Sequence, residues 1–152
     1  MSMDELRESS STSMTDEQLR SFLTEQGVGV LGVVDESVPY LVPLSFGFDG
    51  DRTLYFVFLL FGDESQKEQL CDRNERGRFL IYNADSVHEW QSVSLVGPID
   101  QVADDEWDSL QEAMKNAWHP DVFSSASPMR GIEGYRLRID DWTAIQSGGQ
   151  GR

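Results

Sequence analysis

The sequence predicts a small antiparallel β-barrel with helices packed on its outside. Six or seven short segments rich in β-branched and aromatic residues are punctuated by Gly, Pro, Asn and Asp, and only two or three segments carry a helical period. That mixture fits a closed or nearly closed antiparallel sheet with peripheral helices. At 152 residues the chain is read as one domain, residues 15–147, with short tails at 1–14 and 148–152.

Residues 1–14 are Ser-rich and acidic and offer too little apolar surface to offset ordering, so they read as a disordered tail. Structure is expected from Thr15. In "TDEQLRSFLTEQG" Thr15 is the N-cap and Gln18 completes a capping box; Leu19, Phe22 and Leu23 share a face, and Gly27 marks the stop. "VGVLGVV", residues 28–34, is a strand whose glycines at 29 and 32 admit a close neighbour. The turn "DES" leads to a second strand, residues 38–48. Pro39 and Pro43 cannot donate to a ladder, which makes this strand an edge or a bulged one.

Asp49-Gly50 signals the turn of a hairpin. Its second arm is apolar at every position from Leu54 to Phe61, so both faces must be covered. A brief helix, "SQKEQLCDRN", precedes the strands "RFLIYNA" and "WQSVSLVGPIDQV". A helix is predicted over Asp104 to Trp118, with Trp107, Leu110 and Met114 as its buried stripe. "GYRLRID" alternates Tyr135, Leu137 and Ile139 against arginines, and "WTAIQ" gives a last strand.

The formal charge of −15 comes from 27 acids against 12 cations, only two of them lysines, Lys67 and Lys115. Such a chain repels nucleic acid and anionic membranes. The acidity reads as a solvated surface suited to a salt-rich cytoplasm, a halophilic character. The single cysteine, Cys71, precludes an intramolecular disulfide. No apolar run approaches the roughly 20 residues of a membrane helix, and the N-terminus shows no secretory signal; a cytoplasmic location is expected. His88 and His119 lack metal-ligand spacing, so no metal site is expected. The sequence holds no GxGxxG, P-loop, GxSxG or HExxH motif.

One segment can carry chemistry. Ser65 opens a helix with Gln66 and Lys67 in its first turn, and a helix N-terminus with a hydroxyl and an ammonium suits a phosphate. Ser65 is also an ordinary N-cap and Lys67 an ordinary surface lysine, and the residues themselves leave both readings open.

In the order and spacing of "GVGVLGVVDESVPYLVPLSFGFDGDRTLYFVFLL", "SQKEQL", "FLIY", "WQSVSLVGPIDQV" and "GYRLRIDDWTA", the chain resembles the FMN-binding split-barrel family, which includes pyridoxamine phosphate oxidases and nitroimidazole-resistance proteins. The resemblance implies a six-stranded antiparallel split β-barrel and a homodimer with FMN between protomers. It places Pro43, Leu44, Ser45 and Phe46 on the strand whose backbone lines the isoalloxazine ring. Phe56, Val57 and Phe58 fall on the next strand of the pocket, Ser65, Gln66 and Lys67 at the flavin phosphate, and Trp90 and Ser92 on the strand given by the other protomer. The face of the 54–61 strand turned away from the barrel is then covered by partner and flavin, which makes the dimer obligate. Gln66 departs from a family arginine, and Val57 stands about where the nitroimidazole-resistance group has a histidine. No side chain is assigned as catalytic. The implied activity is flavin-dependent oxidoreduction of a small molecule, with a reduced nicotinamide as one possible electron donor; the rival readings are a deazaflavin-dependent reductase and a non-catalytic or cofactor-free dimeric module.

Overall fold

The computed structural model describes residues 11–59, 76–116 and 132–148. The strands are β1 (Ser11–Ser13), β2 (Val28–Val33), β3 (Tyr40–Ser45), β4 (Gly47–Phe48), β5 (Thr53–Leu59), β6 (Arg76–Ser86), β7 (Glu89–Gln101), β8 (Ile132–Arg138) and β9 (Asp141–Ser147). Helix α1 spans Asp16–Glu25, and α2, Trp107–Ala113, is flanked by 3₁₀ turns at Asp104–Glu106 and Met114–Asn116. No helix among the described residues is long and apolar enough to cross a membrane.

The capping box forms as expected: Gln18 N donates to Thr15 Oγ1 at 3.1 Å, and Thr15 N donates to Gln18 Oε1 at 2.9 Å. Leu19, Phe22 and Leu23 are buried. Order begins earlier than the tail reading supposed, because Ser11–Ser13 pair with β9 and Met14 is buried.

Strands follow the order β3-β2-β6-β7-β8-β5-β4, all antiparallel, with β9 paired to β7 and β1 to β9. The two ends of that order, β3 and β4, are consecutive in the chain and separated only by Phe46. Residues 40–48 are therefore one bent strand that leaves the first sheet and enters the second, and counting it once gives a six-stranded barrel path. Pro39 precedes β3 and Pro43 lies on it; β3 has β2 as its sole ladder partner among the described residues, the edge position that proline requires. The expected hairpin is correspondingly short, because β4 pairs with β5 only through Gly47–Tyr55 and Phe48–Leu54.

At the other crossing β7 serves both sheets, pairing with β9 through Gln91–Val96 and with β8 through Ile99–Gln101. Gly97 sits at the switch. A Cβ there would run into the Arg138 carbonyl oxygen, so the two strands can meet only over a glycine.

The interior is built on rings. Phe79 meets Phe46 edge-on with centroids 5.5 Å apart and Phe56 at 5.9 Å, and Phe56 stacks on Tyr135 at 6.1 Å. Such pairs add about 0.5–1.5 kcal/mol each beyond area burial. Leu54 and Phe56 belong to this core, whereas Tyr55 and Val57 join a second cluster with Val102, Trp107, Leu110, Ala113 and Met114.

That arrangement corrects the expectation about β5. Its second face, over Tyr55 and Val57, is covered by α2 of the same chain, so two-sided burial of Leu54 to Val57 needs no partner. The predicted stripe of Trp107, Leu110 and Met114 is the cover. Helix and sheet approach closely because of two glycines: a Cβ on Gly47 would strike the Ala113 carbonyl, and one on Gly134 would strike Leu110 Cδ1.

Candidate functional site

The outer face of the first sheet, β3-β2-β6-β7-β9, is where the chain departs from ordinary surface chemistry. Alternation along each strand puts Leu41, Pro43 and Ser45 of β3 on this face with Val28 and Val30 of β2, Leu80 and Tyr82 of β6, and Trp90, Ser92, Ser94 and Val96 of β7. The ladder aligns them in rows: Pro43, Val30, Leu80 and Ser94 form one, and Leu41, Gly32, Arg78 and Val96 the next. All the large hydrophobic side chains exposed among the described residues, namely Val28, Val34, Val38, Leu41, Leu80, Tyr82 and Val87, lie on these strands or on their turns. A contiguous apolar face of this kind marks a binding surface.

The residues expected at the cofactor divide by where their side chains point. Pro43, Ser45, Trp90 and Ser92 are on the outer face, as the alternation requires. Leu44 points inward, and Phe46 and Phe56 are fully buried in the barrel, so their rings are core. Val57 lies under α2. The side chain of Phe58, together with Ser65, Gln66 and Lys67, lies outside the described residues.

Backbone geometry brings the two expected segments together. β3 and β5 approach each other without a ladder between them, and β5 pairs with β4 only through Leu54 and Tyr55. An unladdered strand edge offers N–H and C=O groups to a third party. A planar heterocycle with donors and acceptors along its rim fits such an edge beside an apolar sheet face.

Trp90 and Ser92 are not near that gap in the same chain. β2 and β6 intervene between β3 and β7, a separation of about 14 Å at roughly 4.8 Å per strand.

At the end of the face nearer the β2–β3 turn, a cleft of about 520 Å³ lies between the turn, residues 34–37, and the start of β6. Arg76 and Arg78 line it. The Arg76 guanidinium grips Asp140 with two bonds of 2.8 and 2.9 Å and holds that carboxyl below its usual range. Arg78 instead donates from Nη1 to Ser94 Oγ at 2.6 Å.

Sequence reasoning missed Val28, Leu80, Tyr82 and Arg78. Their signal was available, for "RFLIY" in β6 is apolar at both parities just as β5 is, apart from the arginine that opens it. Among the described residues no group of three or more His, Cys, Asp or Glu is placed to hold a metal ion.

A six-stranded antiparallel path closed by one bent strand, split open between β3 and β5 and apolar on one outer face, defines a split barrel. The chain belongs to the pyridoxamine 5'-phosphate oxidase family, whose model matches residues 15–146. Solved structures of similar fold include a FAD-binding protein from Mesorhizobium loti, with TM-score 0.70 and 18% identity over 90% of this chain and 97% of that one. Another is a candidate 5-nitroimidazole antibiotic resistance protein from Bacteroides thetaiotaomicron, with TM-score 0.67 and 17% identity over 91% and 88%. A third is the FAD and heme binding protein from Mycobacterium smegmatis, with TM-score 0.69 and 15% identity over 91% and 73%. At these identities the likeness carries the fold alone. A search of the curated proteins finds no match.

Proposed function

We propose that this chain is a flavin-dependent oxidoreductase that binds FMN between the protomers of a homodimer and acts on a small molecule. The observation that carries the reading is the apolar outer face of the first sheet beside the unladdered edge of β3. The residues present fit the group. The ring would lie against Pro43 and Ser45, with the free edge of β3 addressing its polar rim and Phe46 and Phe56 supporting that backbone from inside the barrel. Bound there, FMN supplies one- or two-electron redox chemistry; the chain supplies the platform, the rim hydrogen bonds and exclusion of water.

The separation of about 14 Å between β3 and β7 at roughly 4.8 Å per strand supports a dimer, because Trp90 and Ser92 reach a ring on β3 only from a second copy. A homodimer joined through this face would also cover Val28, Leu80 and Tyr82. Lys67 and Ser65 are proposed to hold the phosphate, on the strength of the family resemblance.

The test is titration of FMN and riboflavin into wild type and Lys67→Ala, with spectrum and mass of the bound species. A charge-assisted contact contributes about 1.5–3 kcal/mol, so Lys67→Ala should weaken FMN binding roughly ten- to a hundred-fold and leave riboflavin nearly unchanged. Equal losses for both ligands would remove Lys67 from the phosphate site. A protein that takes up neither flavin would remove the cofactor reading, and one that carries deazaflavin would replace it.

A further inference from the structure

We propose that the outer end of the β6–β7 hairpin, residues 84–89, is an arm that clasps a second copy of this chain, with Val87 at its tip as the anchor. This rests on the reading of a homodimer with the cofactor between protomers, and adds to it the element that reaches across. β6 and β7 stay paired as far as Ser86 and Glu89, but the ladder of β6 with β2 ends at Leu80 and that of β7 with β9 ends at Gln91. Beyond those rows no other strand among the described residues pairs with the ribbon. Every residue from Ala84 to Glu89 is exposed. At roughly 3.4 Å per residue the ribbon projects about 10 Å past the row that joins Ala84 to Trp90. Two strands alone are marginal in water unless a further strand or a surface supports them.

The tip is built for contact rather than for turning. A two-residue hairpin loop ordinarily takes Asn, Asp or Gly, because one or both positions need positive φ. Here the loop is Val87-His88, and Glu36 is the only non-glycine residue with positive φ among the described residues. The Ser86 hydroxyl holds the loop instead, accepting from His88 N at 3.1 Å, and the register slips at Asp85, a bulge that bends the ribbon. Val87, 81% exposed, is the most exposed large hydrophobic side chain among the described residues. Continuity makes a second copy the occupant: Leu80 and Tyr82 lead along β6 towards the arm, so the tip prolongs the apolar face through which the homodimer is proposed to join. Trp90 stands opposite Ala84 at the base of the arm, and an arm laid on the second copy carries that indole with it. Asp85 and Glu89 flank the tip, so between two chains of net charge −15 the clasp is apolar at its centre and tightened by salt.

Sedimentation over a range of protein concentrations reads the clasp, with FMN titrated alongside. Val87→Glu should weaken dimerisation about ten-fold for each of the two symmetry-related tips, about a hundred-fold in all. FMN affinity should fall wherever that mutant is monomeric. Its circular dichroism should match wild type, because Val87 faces solvent in the single chain, and Val87→Leu should keep the wild-type dimer. A photoreactive benzoylphenylalanine in place of Val87 should cross-link to the second copy and give a covalent dimer. The proposal is overturned if Val87→Glu stays as dimeric as wild type while Leu80→Glu dissociates, in which case the dimer and its cofactor stand without the arm. Cross-links confined to one chain would also overturn it. A wild type that is monomeric at every concentration, with and without FMN, overturns the arm together with the dimer on which it rests.

Discussion

Replacing Leu110 with alanine tests whether α2 is an intrinsic part of the fold. Leu110 is fully buried on the second face of β5, packed with Tyr55, Val57, Trp107 and Met114 and seated directly on Gly134. Truncation removes three carbons, about 2.4 kcal/mol at roughly 0.8 kcal/mol each. Incomplete collapse adds on the order of 1 kcal/mol, because the glycine beneath has no side chain to fill the space. The expected loss is about 3.4 kcal/mol, within the range of 2–5 kcal/mol for buried Leu→Ala. Urea unfolding followed by tryptophan fluorescence at two protein concentrations measures it. The difference between mutant and wild type should not depend on concentration, because the contact lies within one chain. The reasoning fails if the mutant keeps wild-type stability as a monomer but dissociates as a dimer in sedimentation, which would mean that a partner covers β5.

Two further outcomes follow from the charges. Glu106 accepts a hydrogen bond of 2.6 Å from Arg136, which holds its carboxyl below the ordinary range. A carboxylate with a depressed folded-state value adds stability above its unfolded value and loses it as pH falls through the folded one. Thermal midpoints below about pH 5 should therefore decline less in Glu106→Gln than in wild type, and parallel curves would deny the pair a role. The net charge of −15 predicts a midpoint that rises with added NaCl as self-repulsion is screened, and a flat or falling curve would count against the halophilic reading.

Local signals in the sequence translate directly into structure where one physical cause dominates. The Thr15–Gln18 box, the α1 face and the α2 stripe depend on residues within one or two turns of each other, and all three form. The prolines flanking Leu41 and Val42 made β3 an edge because a missing N–H has no remedy in a ladder. What the sequence did not disclose is that residues 40–48 change sheets at Phe46. Nothing local distinguishes a strand that continues from one that bends over a buried ring, because the bend is fixed by Phe79 and Gly27, both distant in the chain. The inward direction of Phe46 and Phe56 was hidden for the same reason: parity is readable only once the register is known.

The same ambiguity governs the argument for a dimer. Two strands are apolar on both faces, and the sequence gives no rule for telling which is covered from within. β5 looked the more demanding, with eight consecutive apolar residues, yet Tyr55 and Val57 are closed over by a helix that begins some fifty positions later. β6 is the strand left uncovered: Phe79 and Ile81 are fully buried while Leu80 and Tyr82 stand exposed on the other side, beside Val28 and Leu41. Exposed apolar side chains aligned across three hydrogen-bonded strands cannot be shielded by rotamer changes, since each points away from the same sheet. The case for association therefore rests on β2, β3 and β6. A charge introduced at Leu80, as in Leu80→Glu, should dissociate a dimer built on that face while leaving the barrel folded, because the position is solvent-facing in the single chain. Sedimentation with circular dichroism reads both effects together, and a mutant that remains dimeric would move the interface elsewhere.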